Sequence, residues 1–513
     1  MQIVSPSFNP YPDDRWSDLK AAFRLVDVDA AETATVTAYN ESDVSQAPQT
    51  HDGIESMSAA WATLETEGWP LDGSRKILPD DISGYQTGFW SNPSDEEGNF
   101  TVDTGLIYEW AAGQTSIGFT VCFDDKTNWY PKEFVISVYG AGDVLIDTQT
   151  VECHAARVVV EMPAENYRKV TLMFTKTQKP YQMVKVPETV FGIIQQFDRS
   201  NITGGSILYE ISPIAEFLPS SEFEITIDNT DRKYNMVSPN SLYAYLQQGQ
   251  PLYVEMGVGS TRNGLEYTAM GRFYYYKSKA SDNSMAAQIV AYDRFMQLDK
   301  TICRIGTTGT WTVSAAVDAV IDDSGLPITA VIPAEIASRV INKCIPANAT
   351  HREAFRLIAQ AGMSTCFFNR ADELVFMEIE EGDVVDTLDN GNLSEPAEIE
   401  DPGRINTVEL TVSNEYAETE NIYTASDIVS GETPQVKTIE NPLAFDGNAI
   451  AAWLLSMLQS RIYYTLRERG NPAREVGDTV KAYDRYNENR NTVIVRQDYN
   501  YDRILSAESK GWR

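Results

Sequence analysis

The feature that most constrains this chain is a short apolar–polar alternation, repeated many times and broken each time by turn residues. Residues 223–228 carry it most plainly: Phe223, Ile225 and Ile227 alternate with Glu224, Thr226 and Asp228. A period of two places one set on each face of a pleated strand. Similar runs occupy 118–123, 133–139, 156–162, 169–174, 406–412, 479–483 and 491–498, with Gly, Asp and Asn between them. Such residues bond their own backbone or tolerate tight turns. The expected fold class is therefore mainly β. At 513 residues the chain is also multidomain, because a single core stops growing well below that length. A hydrophobic content of 42% and an aromatic content of 11% are globular values and exclude general disorder.

In chain order, 23–28 and 33–39 read as strands and 40–52 as a breaker-rich linker. From 56 to 197 the texture changes: Trp61, Trp69, Trp90, Trp110 and Trp129 fall here among regularly spaced short strands, the pattern of an antiparallel sandwich. Gly204-Gly205 reads as a plain turn. Strand texture resumes to about 300, with 228–231 a turn, Pro239-Asn240 another, 242–246 a helical phrase, 252–258 a strand, and 270–276 with 284–292 a hairpin around 280–283. Helical spacing follows at 313–324 and 332–344. Thr350 and Glu353 form a capping-box pattern ahead of 354–361, and a hairpin turns at 370–372. Residues 416–435 read as a polar excursion. The span 446–468 reads as a helix, with Ile450, Trp453, Leu454, Met457, Leu458, Ile462 and Leu466 on one stripe that packs on its own domain, ended by Gly470-Asn471-Pro472.

These readings divide the chain into a discontinuous first β-domain (1–45 and 201–304), an inserted sandwich (46–200), a small α+β domain (305–380) and a second β-domain (381–513) with the helix 446–468. The two β-domains echo one another. Gly249-Gln250-Pro251 and Gly477-Asp478-Thr479 each open a strand, and each leads to an Arg-headed aromatic strand, beginning at Arg272 and at Arg496. Duplication and convergent hairpin patterns both account for the echo.

Charge and rare residues narrow the function classes. Forty-one basic against 74 acidic side chains give −33, a surface that repels nucleic acid and excludes general or sequence-specific binding to it. No stretch of eighteen apolar residues and no basic-plus-apolar leader occurs, so neither a transmembrane segment nor a signal segment is expected. The five cysteines have no CxxC spacing and read as buried thiols, with a Cys122–Cys153 bridge left open. Only His51, His154 and His351 are available for imidazole chemistry, and His351 sits in the capping pattern. Acidic pairs occur everywhere and single out no glycosidase. Asp124, Asp125 and Asn128 precede Trp129 in a loop that lacks EF-hand spacing and reads as a solvated turn rather than a calcium site. No phosphate loop or dinucleotide fingerprint is present. No catalytic residue, metal or cofactor is expected.

The phrases FEITIDNTDRKYN, SLYAYLQQGQPLYVEMGV and GNPAREVGDTVKAYDRYNENRNTVIVRQDYNYD resemble the tail-tip or baseplate hub proteins of long-tailed bacteriophages. THREAFRLIAQAGMSTCFFNRADELVFMEI resembles the hub's small middle domain. The block 61–197, with WATLETEGWPLDGS, FWSNPSDEEGNF and PYQMVKVPETVFGI, resembles a carbohydrate-binding-like, jelly-roll sandwich inserted in some hubs. The resemblance implies β-barrel hub domains and a homotrimer whose first and third β-domains alternate around a ring. It implies a place in the virion at the tail tip, after synthesis in the host cytoplasm, beside the distal tail protein, the tape-measure protein and other tip proteins. Host cell-wall glycan is a further implied partner, through Trp129, Tyr130, Trp90 and Trp110, because exposed aromatic faces stack on sugar rings. The alternatives are a secreted glycan-binding or glycan-cleaving protein and the hub of a tailocin or contractile injection machine.

Overall fold

The computed structural model describes the chain except residues 1, 3, 6–7, 27, 64, 66–71, 233, 236–245, 247, 261–263, 281–284, 415–417, 460–461 and 484–489. The Pro239-Asn240 turn, most of the helical phrase 242–246 and the tip of the hairpin near 280–283 thus lie outside the described residues. Strands hold 46% of residues and helices 12%, so the fold is mainly β with several sheets. Two compact units are present, Arg24–Gln195 and the remainder, Met1–Phe23 with Gln196–Arg513.

The unit Arg24–Gln195 is a two-layer sandwich. One antiparallel sheet runs Thr35–Tyr39, Gly105–Ser116, Ala164–Thr177, Pro131–Tyr139, Leu145–Glu152. The other runs Arg157–Val160, Phe119–Cys122, Glu188–Val190. Alternation sends Leu106, Tyr108, Ile136 and Leu172 from the first sheet and Phe119, Val121 and Val158 from the second into one core. The strand Thr35–Tyr39, assigned above to the flanking domain, pairs instead with this sandwich, Val36 opposite Tyr108. The segment read as a linker is part of the same unit: Ala47–His51 forms a short 3₁₀ turn, and buried Thr50 bonds the Tyr108 hydroxyl at 2.9 Å. All five cysteines are buried and outside any disulfide, so the Cys122–Cys153 bridge left open is not formed.

In the second unit a small α+β body is built around Val313–Ser324 and His351–Ala361. Thr312 caps the first helix by accepting from Ala315 N–H, and Gly325 ends it with φ +66°. Thr350 accepts from Glu353 N–H at 3.2 Å, but the Glu353 carboxylate turns to Arg356, so half of the capping box forms. The hairpin Thr365–Phe368 with Leu374–Met377 follows, Asp372 taking φ +66° at its turn. The helical reading of 332–344 fails. Only Ala334–Ala337 is helical, after Pro333, and the β-branched pair at Val340–Asn342 joins Thr310–Thr312 as a strand.

Two further expectations change. The helix 446–468 ends at Leu458, and Tyr463–Glu468 is a strand. Leu466 fits both a helical stripe and an alternating strand, and the Tyr463-Tyr464-Thr465 run favours the strand. The polar excursion contains Thr419–Ser426, an exposed strand paired with Thr407–Asn414. Gly204-Gly205 also lies inside a strand, Ile202–Glu210. A Cβ on Gly205 would press on Leu19 at 2.7 Å and on Glu224 O at 3.1 Å, so glycine here admits close packing rather than a turn.

Candidate functional site

The feature that organises the larger unit is a duplicated four-strand motif. The first copy comprises Glu222–Asp228, Pro251–Ser260, Gly264–Ala280 and Ala286–Tyr292. The second comprises Tyr463–Glu468, Thr479–Ala482, Arg490–Tyr501 and Leu505–Trp512. Counted in chain order, both copies are hydrogen-bonded in the order two, three, four, one, and every pairing is antiparallel.

Register makes the equivalence residue by residue. Tyr274 faces Pro251, and the register slips at Tyr276; Val493 faces Thr479, and the register slips at Val495. A bulge at the same offset in two strands is a designed feature of each. With that alignment, buried Phe223 and Ile225 correspond to Tyr464 and Leu466, Leu252 and Val254 to Val480 and Ala482, and Phe273 to Thr492. The sequence echo is thereby corrected in register: Arg496 corresponds to Lys277, the first paired residue after each bulge, and Arg272 corresponds to Asn491. Ile202–Glu210 joins the copies by pairing on one edge with Glu222–Asp228 and on the other with Arg490–Tyr501. Both copies therefore belong to one thirteen-stranded sheet.

The copies differ in what fills equivalent core positions. Where the first has Ile227 and Ile289, the second has Glu468 and Ser509, both buried. They enclose Arg474, which is fully buried and pairs with Glu468 Oε1. Ser509 Oγ donates to the same oxygen at 2.6 Å, and Arg474 Nη1 reaches Asp386 Oδ2 at 3.0 Å. The Tyr11 hydroxyl donates to Asp386 Oδ2 at 3.0 Å, and burial raises that phenol well above its ordinary range. Burial alone would lower the Arg474 pKa; the Glu468 carboxylate and its neighbours outweigh it and raise the value, keeping the guanidinium charged. A charged arginine satisfied on several sides is an electrostatic tie that fixes one geometry.

On the sandwich, the four aromatics singled out by sequence part company. Trp90 and Trp110 are core residues, with Nε1 of each donating to a backbone carbonyl at 2.7 Å, Thr87 O and Ala30 O. Neither presents a face to a sugar. Trp129 and Tyr130 are half-buried, and the Tyr130 hydroxyl donates to His154 O at 3.1 Å. Beneath Trp129 lies a charge cluster that sequence spacing did not disclose. Buried Lys185 pairs with buried Glu65 and stands 3.9 Å from Asp124. Its Nζ lies 5.1 Å from the Trp129 ring centroid and 4.6 Å from that of Trp90, within cation–π range. Asp124 is buried rather than solvated, accepting from Thr127 Oγ1 at 2.6 Å and from the Lys126 and Thr127 N–H groups. Burial raises its carboxyl pKa, against the pull of Lys185. Its oxygens thus face donors of its own loop. Tyr85, exposed and edge-on to Trp61 at 5.4 Å, is a further surface aromatic that the tryptophan-led reading passed over.

No protein-family model and no curated protein matches the chain. Solved structures similar to it include three tail proteins. The tail protein from Neisseria meningitidis MC58 shares 14% identity over 62% of this chain and 94% of that one, with a TM-score of 0.44. The 43 kDa tail protein of prophage MuSo2 from Shewanella oneidensis shares 14% over 62% and 93%, TM-score 0.42. Prophage tail protein gp18 from Listeria monocytogenes EGD-e shares 12% over 62% and 91%, TM-score 0.40.

Proposed function

We propose that this chain is a non-enzymatic structural component of a phage tail tip, a baseplate hub that forms a ring joining the tail tube to the tip. The observation that carries the reading is the duplicated four-strand motif, equivalent in strand order, bulge and buried positions. A chain with two equivalent motifs presents six when three copies assemble, which matches a threefold tip to a sixfold tube. The hub-like phrases of the sequence lie largely in these motifs. The excess of 74 acidic over 41 basic side chains gives such a ring a wall that lets DNA pass without adhering. Its neighbours in this reading are the distal tail protein, the tape-measure protein and other tip proteins, and its place is the virion. Native mass spectrometry tests the stoichiometry: the reading expects three times the 57.3 kDa chain mass, and a strictly monomeric protein at every concentration overturns it.

A second reading concerns the sandwich. Half-buried Trp129, braced from below by Lys185, supports contact with host cell-wall glycan there, with Tyr130 beside it. Binding of the full-length protein to purified cell-wall polysaccharide, lost in Trp129→Ala with the fold retained, supports it. Unchanged binding in that variant, or none by the parent chain, removes it.

A further inference from the structure

Among the described residues, one group of three metal-ligating side chains converges, none of them part of the duplicated motif's ion cluster: Cys303, Asp323 and His351, whose donor atoms all lie within 4.8 Å of one another. We propose that they bind a single transition-metal dication of the zinc class. This inference is independent of the assembly reading above.

The argument begins with the imidazole. His351 Nδ1 lies 2.8 Å from Thr301 Oγ1 and 3.1 Å from Thr301 O, and a carbonyl oxygen accepts only. A proton on Nδ1 satisfies that carbonyl and leaves the Nε2 lone pair facing Asp323 Oδ2 at 2.9 Å. In the other tautomer Thr301 Oγ1–H donates to Nδ1 and Nε2–H donates to Asp323; with the proton on Nδ1, the Nε2 and Oδ2 lone pairs face one another and take a cation. Cys303 decides between these. A sulfur adds nothing to an imidazolium–carboxylate pair, whereas sulfur, imidazole nitrogen and carboxylate oxygen together make a zinc donor set. In a tetrahedral zinc site neighbouring donors stand about 3.3–3.8 Å apart, so the imidazole–carboxylate pair opens slightly from 2.9 Å and no other pair closes by more than about 1.5 Å.

The scaffold is rigid where such a site requires it. Cys303 N–H donates to Ala349 O at 2.9 Å and His351 N–H to Thr301 O at 3.3 Å, which pins the cysteine segment to the start of the helix His351–Ala361. Asp323 sits in the last turn of Val313–Ser324, and its Oδ2 accepts from Arg304 N–H at 3.1 Å. Thr301 thus acts as the outer partner that fixes a ligating imidazole. Cys303 and His351 are buried, while the Asp323 side chain is 26% exposed, which gives an ion a route in and leaves the fourth position to water.

The test uses the full chain, stripped with a chelator and titrated calorimetrically with Zn²⁺ alone, then with Co²⁺ while recording spectra. One ion per chain is expected, with a thiolate-to-cobalt charge-transfer band and the ligand-field bands of four-coordinate cobalt. Asp323→Asn, at the solvent-facing ligand, is expected to weaken affinity about tenfold or more. Cys303→Ser should remove the charge-transfer band. Should a core variant fail to fold, the cobalt spectrum of the parent chain still decides. No stoichiometric ion in the parent chain, or zinc binding that is unchanged in both Asp323→Asn and Cys303→Ser, overturns the proposal.

Discussion

At the residue scale, the molecule's most informative position is Arg474. A buried ion pair is weak support for stability as a whole, but removing one partner strands the other charge. Glu468→Ala is therefore expected to cost about 3–5 kcal/mol in chemical denaturation. Glu468→Ile with Ser509→Ile, which copies the first motif's core, should not rescue the protein while Arg474 remains; adding Arg474→Met should recover most of the loss. Asp293 supplies a pH dependence. Its carboxylate accepts from Ser221 N–H at 2.7 Å and Phe295 N–H at 3.0 Å, yet full burial pushes its pKa up to about 7. Between the ordinary carboxylate value and about 7, the folded chain keeps a proton that the unfolded chain has lost. This group therefore makes stability fall as pH rises through that window and contributes no further slope above it. Denaturation midpoints across the window, compared with Asp293→Asn, check this: the variant should lose that downward component.

At the scale of elements, the helix Gly447–Leu458 shows how packing sets a residue. A Cβ at Gly447 would collide with the Tyr423 ring, so Gly447→Ala is expected to cost about 1–3 kcal/mol through overpacking. Thr350→Ala should cost about 1 kcal/mol through loss of its bond to Glu353 N–H. Both are read by denaturant titration. Strands that alternate over a half-buried face were legible in the sequence, as were caps: Phe223 to Ile227 and Thr350 needed only periodicity and a hydroxyl. What failed were apolar spacings that satisfy two periods at once. Leu466 suits a helix as well as a strand, and Ile341 suits a helix until Thr310–Thr312 pairs with its strand. Gly205 misled for the opposite reason, since its need for glycine arises from Leu19, distant in sequence. The candidate site residues follow the same rule. The loop 124–128 ahead of Trp129 was a local cue that sets it apart from core Trp110. Lys185 and Glu65, or Cys303, Asp323 and His351, meet only after folding.

At the scale of the whole molecule, the echo between two β-domains was visible as a pattern of turns and strands, but its register was not. Arginine-led strands drew Arg272 onto Arg496, whereas the bulges at Tyr276 and Val495 set the true alignment. The central claim is that this duplication exists to place six equivalent motifs around a ring of three chains. The most direct test is a reconstruction of the assembled tail tip by electron cryomicroscopy, computed without imposed symmetry. The account predicts three chains in a closed ring, with the first and second motifs alternating at one radius and stacking on a sixfold ring. A ring of six chains, or motifs at different radii with only one of them meeting the tube, would contradict it.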